Sequence, residues 1–263
     1  MVDLTYFRNY IEEFARLGGA KALEMFGNHG SVKVKAHTND VATQADIEVN
    51  QLIVNRIKEV FPEHGIISEE LGVDGADRDY VWIIDPIDGT LNYKTGIPQF
   101  AVLIALQFEG VTFLSCVYIP TSDSCYIAEL GNEAKLNGKT IRCSRTAGLA
   151  NSLGLTYATL DLERVELFQK VFAVQGNSKI KISSMGATAV NIAYVADGTR
   201  DWLFCGDTGE IWDYEPTILL LREAGCLVTT SSGEEWEHGK GNFIAANPSL
   251  HAELLELFKE EAV

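Results

Sequence analysis

Two aspartates follow an apolar run within one short segment, DPIDGT at positions 85–90. Carboxylates as close as Asp85 and Asp88 raise each other's pKa unless a cation lies between them, and no Lys or Arg is adjacent in the sequence. Hard oxygen ligands of this kind suit Mg²⁺, which proteins hold with carboxylates, water and substrate phosphate. The segment therefore predicts a magnesium site.

The second half of the segment favours anion binding beside that site. Gly89 lets the backbone approach a ligand closely, and the residues from Gly89 onward are expected to open a helix whose free N–H groups and dipole attract phosphate. An alternative remains open, since Asp-Pro and Asp-Gly are both common turn formers and the segment could be a simple polar turn.

Three other acidic residues stand at predicted element ends. Glu69 follows a short apolar strand, where such a residue is otherwise solvated surface. Asp213 precedes Pro216 and an apolar helix, so it is expected at a helix start, with an N-cap as the alternative role. Asp46 closes a polar segment that opens another helix, where Thr43 or Asp46 is expected to cap.

The spacing of apolar residues predicts the elements that must position these acids. A continuous apolar run at 80–84 predicts a strand buried on both faces, which delivers Asp85 to its carboxyl end. Glu109-Gly110 and Asn137-Gly138 predict hairpin turns, the first joining strands 100–108 and 111–119. The other predicted elements are a strand at 32–35 and helices at 4–26, 46–60, 161–174, 187–196, 216–224 and 250–258.

The pattern changes at about residue 145, from β-rich to mixed strand and helix. We therefore divide the chain into an N-terminal α+β half, residues 1–145, which carries the metal-binding turn, and a C-terminal α/β half, residues 146–263, which completes the metal and substrate site. No repeat or flexible linker separates the halves, so they are expected to share a site at their junction.

Composition excludes several classes of function. Lys and Arg number 21 against 37 Asp and Glu, a net charge of −16, which disfavours wrapping of nucleic acid. Residues 1–17 lack the apolar core of a signal peptide, and no later segment is apolar enough to span a membrane. The five cysteines have no paired spacing, which favours buried free thiols in a reducing cytoplasm.

The four acidic segments, in this order, resemble the inositol monophosphatase family within the lithium-sensitive, magnesium-dependent phosphatase superfamily. Segment 85–90 with its flanks 82–84 and 91–93 resembles the family's first signature, and Trp212-Asp213 with 223–225 resembles the second. The resemblance covers nearly the whole chain. It implies a layered αβαβα sandwich, as in the inositol monophosphatase and fructose-1,6-bisphosphatase fold, and a homodimer.

The resemblance also implies a set of metal ligands. Glu69, Asp85 and the carbonyl of Ile87 would hold one Mg²⁺, and Asp85, Asp88 and Asp213 would hold another. A third, weaker Mg²⁺ would use Glu69. Lithium is expected to inhibit.

Catalytic and substrate-binding residues follow from the same resemblance. Thr90 paired with Asp46 would orient a metal-activated water for in-line attack on phosphorus, without a covalent phosphoenzyme. The amides of Gly89 and Thr90 would hold the phosphate, and Asp88 would contact the substrate's hydroxyl face. Three residues would line the alcohol pocket, unless they are an ordinary helix entry: Gly186, Ala187 and Thr188.

The implied activity is hydrolysis of a small phosphate monoester, inositol 1-phosphate or a similar polyol or sugar phosphate. Histidinol phosphate, fructose 1,6-bisphosphate and adenosine 3′,5′-bisphosphate are alternative substrates, and a regulatory binding protein that keeps the fold is an alternative of another class. Two departures from the family pattern leave the alcohol part of the substrate undecided. The family's inositol-contacting glutamate is replaced near Cys205-Gly206, where Asp207 or Glu210 could take over, and Glu215 stands where a small residue is usual, near the expected pocket.

Overall fold

Helices form where the apolar spacing is helical, and strands where it alternates or runs continuously. The structure is a computed structural model that describes residues 4–27, 32–34, 41–157, 180–206 and 209–259, together with 165, 169 and 173. The helices are α1 (Leu4–Met25), α2 (Gln44–Val60), α3 (Thr90–Thr95), α4 (Thr188–Ala196), α5 (Ile211–Glu223) and α6 (Pro248–Lys259).

The strands form three sheets, of two, eight and five strands. The two-stranded sheet is β1 (Val32–Val34) with β2 (Val41–Thr43). The eight-stranded sheet contains β3 (Gly65–Ser68), β4 (Gly72–Asp74), β5 (Tyr80–Asp88), β6 (Ala101–Phe108), β7 (Val111–Ile119), β8 (Ser124–Glu129), β9 (Ala134–Leu136) and β10 (Lys139–Thr140). The five-stranded sheet contains β11 (Leu153–Tyr157), β12 (Lys181–Ser183), β13 (Trp202–Cys205), β14 (Leu227–Thr230) and β15 (Phe243–Ala246).

Strand β5 lies inside the eight-stranded sheet, whose order is β10-β9-β8-β7-β6-β5-β3-β4. It pairs in parallel with β3 and antiparallel with β6. Helices α1 and α2 pack on one face of the sheet and α5 on the other. Side chains on both faces of β5 are therefore buried, which explains why residues 80–84 form a continuous apolar run. The β5–β6 register shifts between Asp85 and Asp88, and such a bulge re-aims the side chains at the strand's end.

The five-stranded sheet has the order β12-β11-β13-β15-β14. Helices α4 and α5 pack between the two sheets and share a core with both. Helix α6 covers the outer face of the second sheet, where Trp202, Phe204 and Leu250 are buried together. The layers are thus α1 and α2, first sheet, α4 and α5, second sheet, and α6, which confirms the predicted αβαβα sandwich.

Most predicted elements are confirmed within a few residues. Helix α1 and the two hairpins lie where the sequence placed them, and the hairpin turns have the positive φ that their turn type requires at Glu109-Gly110 and Asn137-Gly138. Strand β5 runs four residues further than predicted, through Asp88, and α2 begins two residues earlier, at Gln44. The predicted helix at 161–174 lies outside the described residues.

The start of α5 differs from the prediction. The helix begins at Ile211 with Glu210 as its N-cap, so Asp213 is the third helical residue and Pro216 lies inside the helix. Pro216 suggested a start because proline is favoured in the first turn, yet it is tolerated one turn later here. The helix ends where the sequence predicted, with Ala224 at the C-cap and Gly225 (φ 88°) directly after it.

The cysteines and the helices bear on the chain's environment. All five cysteines are free thiols, four of them buried, although the Cys116 and Cys125 sulfurs lie 3.6 Å apart. Among the described residues, no helix has the length and apolarity needed to cross a membrane.

We expect Gly154→Ala to destabilise the protein. A Cβ at Gly154 would lie 2.2 Å from the Trp202 indole ring, which is buried and donates its Nε1–H to Ser152 Oγ at 2.9 Å. Overpacking of this kind costs about 1–3 kcal/mol, measurable by urea unfolding. Leu153→Ala on the same strand, partly exposed, is the control and should cost clearly less; equal losses would contradict the packing argument.

Candidate metal and phosphate site

Three carboxylates converge where the two sheets face each other across α5. Asp85 and Asp88 lie at the end of β5, and Asp213 lies in the first turn of α5. One oxygen from each lies within 4.8 Å of the others. The start of α5 is held against the strand by apolar packing of Ile211 and Trp212 on the side chains of β5, so the cluster is built by the meeting of a strand end and a helix start.

Asp85 is the least exposed of the three aspartates whose oxygens converge. It is 2% exposed, and burial raises its pKa well above the usual range. The carboxylates of Glu69, Asp213, Asp88 and Asp46 raise this pKa further. Its Oδ1 accepts the amide of Ile87 at 2.9 Å, which fixes the side chain without neutralising it.

Asp88 is held by the first turn of α4. Its two oxygens accept the amides of Thr188 at 3.1 Å and Ala189 at 2.9 Å, and a helix N-terminus favours an anion. Burial and the charge of Asp213 nevertheless raise the pKa of Asp88 to about 7, since they outweigh the lowering by these two amides.

Asp213 is fixed by a capping box. Its Oδ2 accepts the amide of Glu210 at 2.7 Å, while the Glu210 side chain accepts the amide of Asp213 in return. Burial raises the pKa of Asp213 to about 7, the Glu210 amide lowers it, and the Glu69 carboxylate raises it. The capping alternative and the site are therefore compatible, because a carboxylate at the third helical position can cap and still face a cation.

Glu69 lies directly after β3, as the sequence predicted. It is outside the group of three with the closest oxygens, but its charge raises the pKa of Asp85, Asp88 and Asp213. The residue before it, Ser68, donates to Oδ1 of buried Asn50 on α2 at 2.5 Å, so the end of β3 is tied to the helix that carries Asp46.

Thr90 connects the turn to α2. Its hydroxyl lies 3.3 Å from Asp46 Oδ1 and 3.1 Å from the carbonyl of Ile87. Asp46 is 1% exposed although it lies in the first turn of a helix, a position where a merely capping aspartate is usually solvated. The structure thus brings Asp46, Thr90 and Ile87 together with the carboxylate cluster.

The donor set fits a hard divalent cation. The ligand atoms are carboxylate and carbonyl oxygens, each anchored acid keeps lone pairs that its amide donors leave unused, and the groups that most raise the pKa of Asp85, apart from burial, are other carboxylates. A cation of charge two is the simplest way to compensate them. The residues present therefore fit Mg²⁺.

The turn after Asp88, where phosphate binding is expected, makes close contacts with two other segments. Gly89 has φ 86° and caps α3, and a Cβ there would lie 2.7 Å from Ala187 Cβ and 3.0 Å from the carbonyl of Gln99. The predicted pocket residues Gly186, Ala187 and Thr188 therefore lie beside the turn, with the amide of Thr188 engaged on Asp88. Their contact with substrate stays a prediction.

The Glu215 side chain is directed away from Asp88. It accepts a hydrogen bond from Thr112 at the start of β7, which is the end of the first sheet remote from Asp88, and its place near the alcohol pocket stays a prediction. Glu210, one of the two candidates to replace the family's pocket glutamate, is the N-cap of α5 and accepts the amide of Asp213. Asp207 lies outside the described residues.

Sequence reasoning missed two residues of the site. Tyr157 ends β11 beside Cys205, and burial together with Asp88 and Asp213 raises the pKa of its hydroxyl to about 12. Asn92 donates to two carbonyls from the middle of α3. An Asn two places after Thr90 in a buried turn was the available signal for the second residue, and Tyr157 had none.

We expect Asp85→Asn to stabilise the metal-free protein at pH 8. The substitution keeps the acceptor for the Ile87 amide and removes one of the mutually repelling charges. The gain should be on the order of 1–2 kcal/mol, since each pKa unit corresponds to about 1.4 kcal/mol, measured by urea unfolding in a chelator.

The same experiment has a defined pH dependence. The folded-state pKa of Asp88 and Asp213 is about 7, against the ordinary aspartate value of 3.8. The folded state therefore binds more protons between these values, and wild-type stability falls as pH rises toward 7. The gain from Asp85→Asn should therefore be small at pH 5 and largest at pH 8. Asp74→Asn, which removes an exposed partner of Lys58, should show no such gain; a gain independent of pH would contradict the repulsion.

Comparison with known proteins agrees with this geometry. The "Nus factor SuhB" of Vibrio cholerae serotype O1 is 34% identical over 226 residues, which cover 85% of this chain and 84% of that protein. The "Fructose-1,6-bisphosphatase/inositol-1-monophosphatase" of Thermotoga maritima is 33% identical over 240 residues, 89% of each chain. The crystal structure of extragenic suppressor protein suhB from Bartonella henselae matches with a TM-score of 0.90 at 30% identity, covering 97% of this chain and 99% of that one.

The sequence profile of the inositol monophosphatase family matches residues 3–262. This range contains both signatures, the acidic cluster and every element of the sandwich. The chain belongs to the inositol monophosphatase family.

Proposed function

We propose that the protein is a magnesium-dependent phosphatase that hydrolyses a small phosphate monoester. The observation that carries the proposal is the convergence of Asp85, Asp88 and Asp213 within 4.8 Å, beside a glycine-capped helix start that leads into α3. Carboxylates of this kind bind Mg²⁺ well only together with further oxygen ligands, and a substrate phosphate supplies these. Family membership supports the same chemistry.

The ligand roles are those that the family resemblance implies, and the convergence of Asp85, Asp88 and Asp213 supports one of the two sets. Asp85, Asp88 and Asp213 would hold one Mg²⁺, and Glu69, Asp85 and the carbonyl of Ile87 would hold another, with Glu69 available to a third. Bound Mg²⁺ would supply charge neutralisation of the phosphate oxygens and a lowered pKa for the attacking water. The amides of Gly89 and Thr90 would bind the phosphate at the start of α3, where helix N–H groups lack partners within the helix.

Thr90 and Asp46 would handle the proton of the attacking water. The Thr90 hydroxyl has one proton, which it directs toward Asp46 Oδ1 or the Ile87 carbonyl, 3.3 and 3.1 Å away. Its oxygen keeps lone pairs that can accept a hydrogen bond from water. A water held there would be oriented toward the phosphate, with Asp46 as the buried acceptor behind the hydroxyl.

The alcohol half of the substrate would lie against Gly186, Ala187 and Thr188. Inositol 1-phosphate or a similar polyol or sugar phosphate is our leading substrate. The Thermotoga maritima relative is named for both fructose-1,6-bisphosphatase and inositol-1-monophosphatase, which supports inositol 1-phosphate and makes fructose 1,6-bisphosphate an alternative substrate. Histidinol phosphate and adenosine 3′,5′-bisphosphate are the other alternative substrates, and these four compounds form the panel to be tested. We also propose a homodimer in a reducing cytoplasm, the latter on the five free thiols.

A regulatory role is the second candidate. The relative from Vibrio cholerae is named as a Nus factor rather than by an activity, and such a role would need the fold without the chemistry. The presence of Asp85, Asp88 and Asp213 together favours catalysis, because their pKa values are raised in the folded protein and such acids cost stability that packing does not require. Asp46 and Glu69 add to the same cluster of charge.

We expect phosphate release from the monoester panel only in the presence of Mg²⁺, with inhibition by Li⁺. Asp88→Asn should lower kcat/KM at least 100-fold, because it removes a ligand charge and one acceptor for the α4 amides. Asp74→Asn, on the exposed edge strand β4, is the matched control. Release that persists without Mg²⁺, or no release from any ester by a folded protein that binds Mg²⁺, would refute the proposal.

We expect Thr90→Val to lower kcat by about 10²–10⁴-fold with little change in KM, the range for a lost proton-transfer group. The valine keeps the volume and the helix but has no hydroxyl for Asp46. Thr95→Val on the same short helix, which removes a hydroxyl bonded to the Leu91 carbonyl at 2.8 Å, should leave kcat within about twofold. A loss of equal size in both variants would assign the effect to helix α3 rather than to the hydroxyl.

A further inference from the structure

The backbone of Met185 is held at both of its polar groups by asparagine side chains. Its carbonyl accepts Asn92 Nδ2 from α3 at 2.8 Å, and its amide donates to Asn191 Oδ1 on α4 at 3.0 Å. Both asparagines are buried, 7% and 0% exposed. The two contacts therefore hold the peptide units on both sides of the Met185 Cα.

Asn92 uses both protons of its amide nitrogen. Besides the Met185 carbonyl, Nδ2 donates to the carbonyl of Gln99 at 2.8 Å, in the loop between α3 and β6. The rest of the amide meets Gly186, where a Cβ would lie 2.7 Å from Asn92 Oδ1. Asn92 therefore joins α3, the loop at Gln99 and the segment at Met185. It leaves no room for a side chain at Gly186.

The segment that Asn92 holds leads into the anchor of Asp88. Gly186 has φ 75° and directs the chain into α4, whose first amides, of Thr188 and Ala189, donate to the two oxygens of Asp88. On the other side, Ala187 lies against Gly89 of the turn. A shift of Met185 would thus move the amides of Thr188 and Ala189 that hold Asp88, together with Ala187 beside Gly89.

We propose that Asn92 is a positioning residue that sets the spacing between the turn 89–90 and the segment 185–189, which contains the expected pocket residues 186–188 and anchors Asp88. The proposal rests on the proposed phosphatase function for its kinetic consequence, but its structural consequence stands without it. In this proposal Asn92 acts through the Met185 carbonyl and not by direct contact with substrate or cation.

An amide is required at this place by hydrogen-bond chemistry. Two backbone carbonyls face one side-chain nitrogen, and an NH₂ group is the smallest neutral group with two donors. Aspartate has the same shape but would place an acceptor against both carbonyls. Leaving two part-buried carbonyls unpaired is unfavourable, so the segment should move to find water or other donors.

The test compares Asn92→Asp and Asn92→Ala with wild type by amide hydrogen exchange and by steady-state kinetics. Exchange of the amides in residues 185–191 should rise about tenfold or more, while α1 and the second sheet stay protected. Kinetically, KM for inositol 1-phosphate should rise by about tenfold, with a smaller loss for a minimal ester such as methyl phosphate that does not reach the pocket wall. Asn92→Ala keeps the test available if the charged variant does not fold.

The matched control is Asn247→Asp. Asn247 is also buried and also donates Nδ2 to a backbone carbonyl, that of Thr146 at 2.9 Å, at the end of the second sheet remote from Cys205. It should lower thermal stability without changing exchange in 185–191 or KM. Similar exchange and kinetic changes in both variants would overturn the proposal, since they would reflect general destabilisation.

A double-mutant cycle with Gly186→Ala tests the direct contact. A Cβ at Gly186 is opposed by its positive φ and by Asn92 Oδ1, and Asn92→Ala removes only the second of these. Gly186→Ala should therefore be about tenfold less damaging to kcat/KM in the Asn92→Ala background than in wild type; additive losses would overturn the coupling. If the wild-type protein hydrolyses no ester, the phosphatase proposal fails. The role of Asn92 is then still decided by the same double-mutant cycle measured as hydrogen exchange of the amides in residues 185–191.

Discussion

Repulsion among buried carboxylates is the constraint on which the rest of this structure depends. Asp85 and Asp88 lie in the strand end, Asp213 in a helix start, and Glu69 and Asp46 add further negative charge nearby. Water would normally solvate such groups, but here the two sheets and α5 exclude most of it. Fixed backbone dipoles therefore compensate part of this charge, and the cluster favours the binding of a cation.

The chain meets this constraint by aiming backbone amides at the acids. Asp85 receives the amide of Ile87, Asp88 receives the first amides of α4, and Asp213 receives the amide of Glu210. These bonds hold the carboxylates in place, yet the pKa of Asp88 and Asp213 still rises to about 7. The amides therefore orient the acids, and the remaining charge favours a divalent cation.

The sandwich serves the same arrangement. Helix α5 lies between the sheets and packs on both, so the acid at its start is fixed relative to the end of β5. Glu223 near its other end accepts the amides of Gly131, Asn132 and Glu133, which ties the helix to the β8–β9 turn. Packing along the full helix thus sets the distance between Asp213 and the aspartates of the strand.

The local signals in the sequence were sufficient for much of this. The apolar run before Asp85 predicted a buried strand because a parallel-paired inner strand needs apolar residues on both faces, and the hairpin at Glu109-Gly110 followed from the positive φ its turn requires. The segment 85–90, with Glu69, Asp213 and Asp46, predicted the acidic cluster and the family. The start of α5 was misplaced because Pro216 gives a strong local signal for a first turn, whereas packing of Ile211 and Trp212 on β5 extends the helix backwards.

Only the tertiary structure decided the contacts between segments that are far apart in the chain. The sequence by itself determined which residues carry charge, which segments are strand or helix, and where glycine permits a turn, since these depend on neighbours along the chain. It did not reveal that Asn92 would reach Met185, that Glu215 would turn away to Thr112, or that Tyr157 would lie beside the acids. Those outcomes depend on how α3, α4, α5 and the two sheets are packed, because a side chain's partner is fixed by the layer that faces it and not by its own segment.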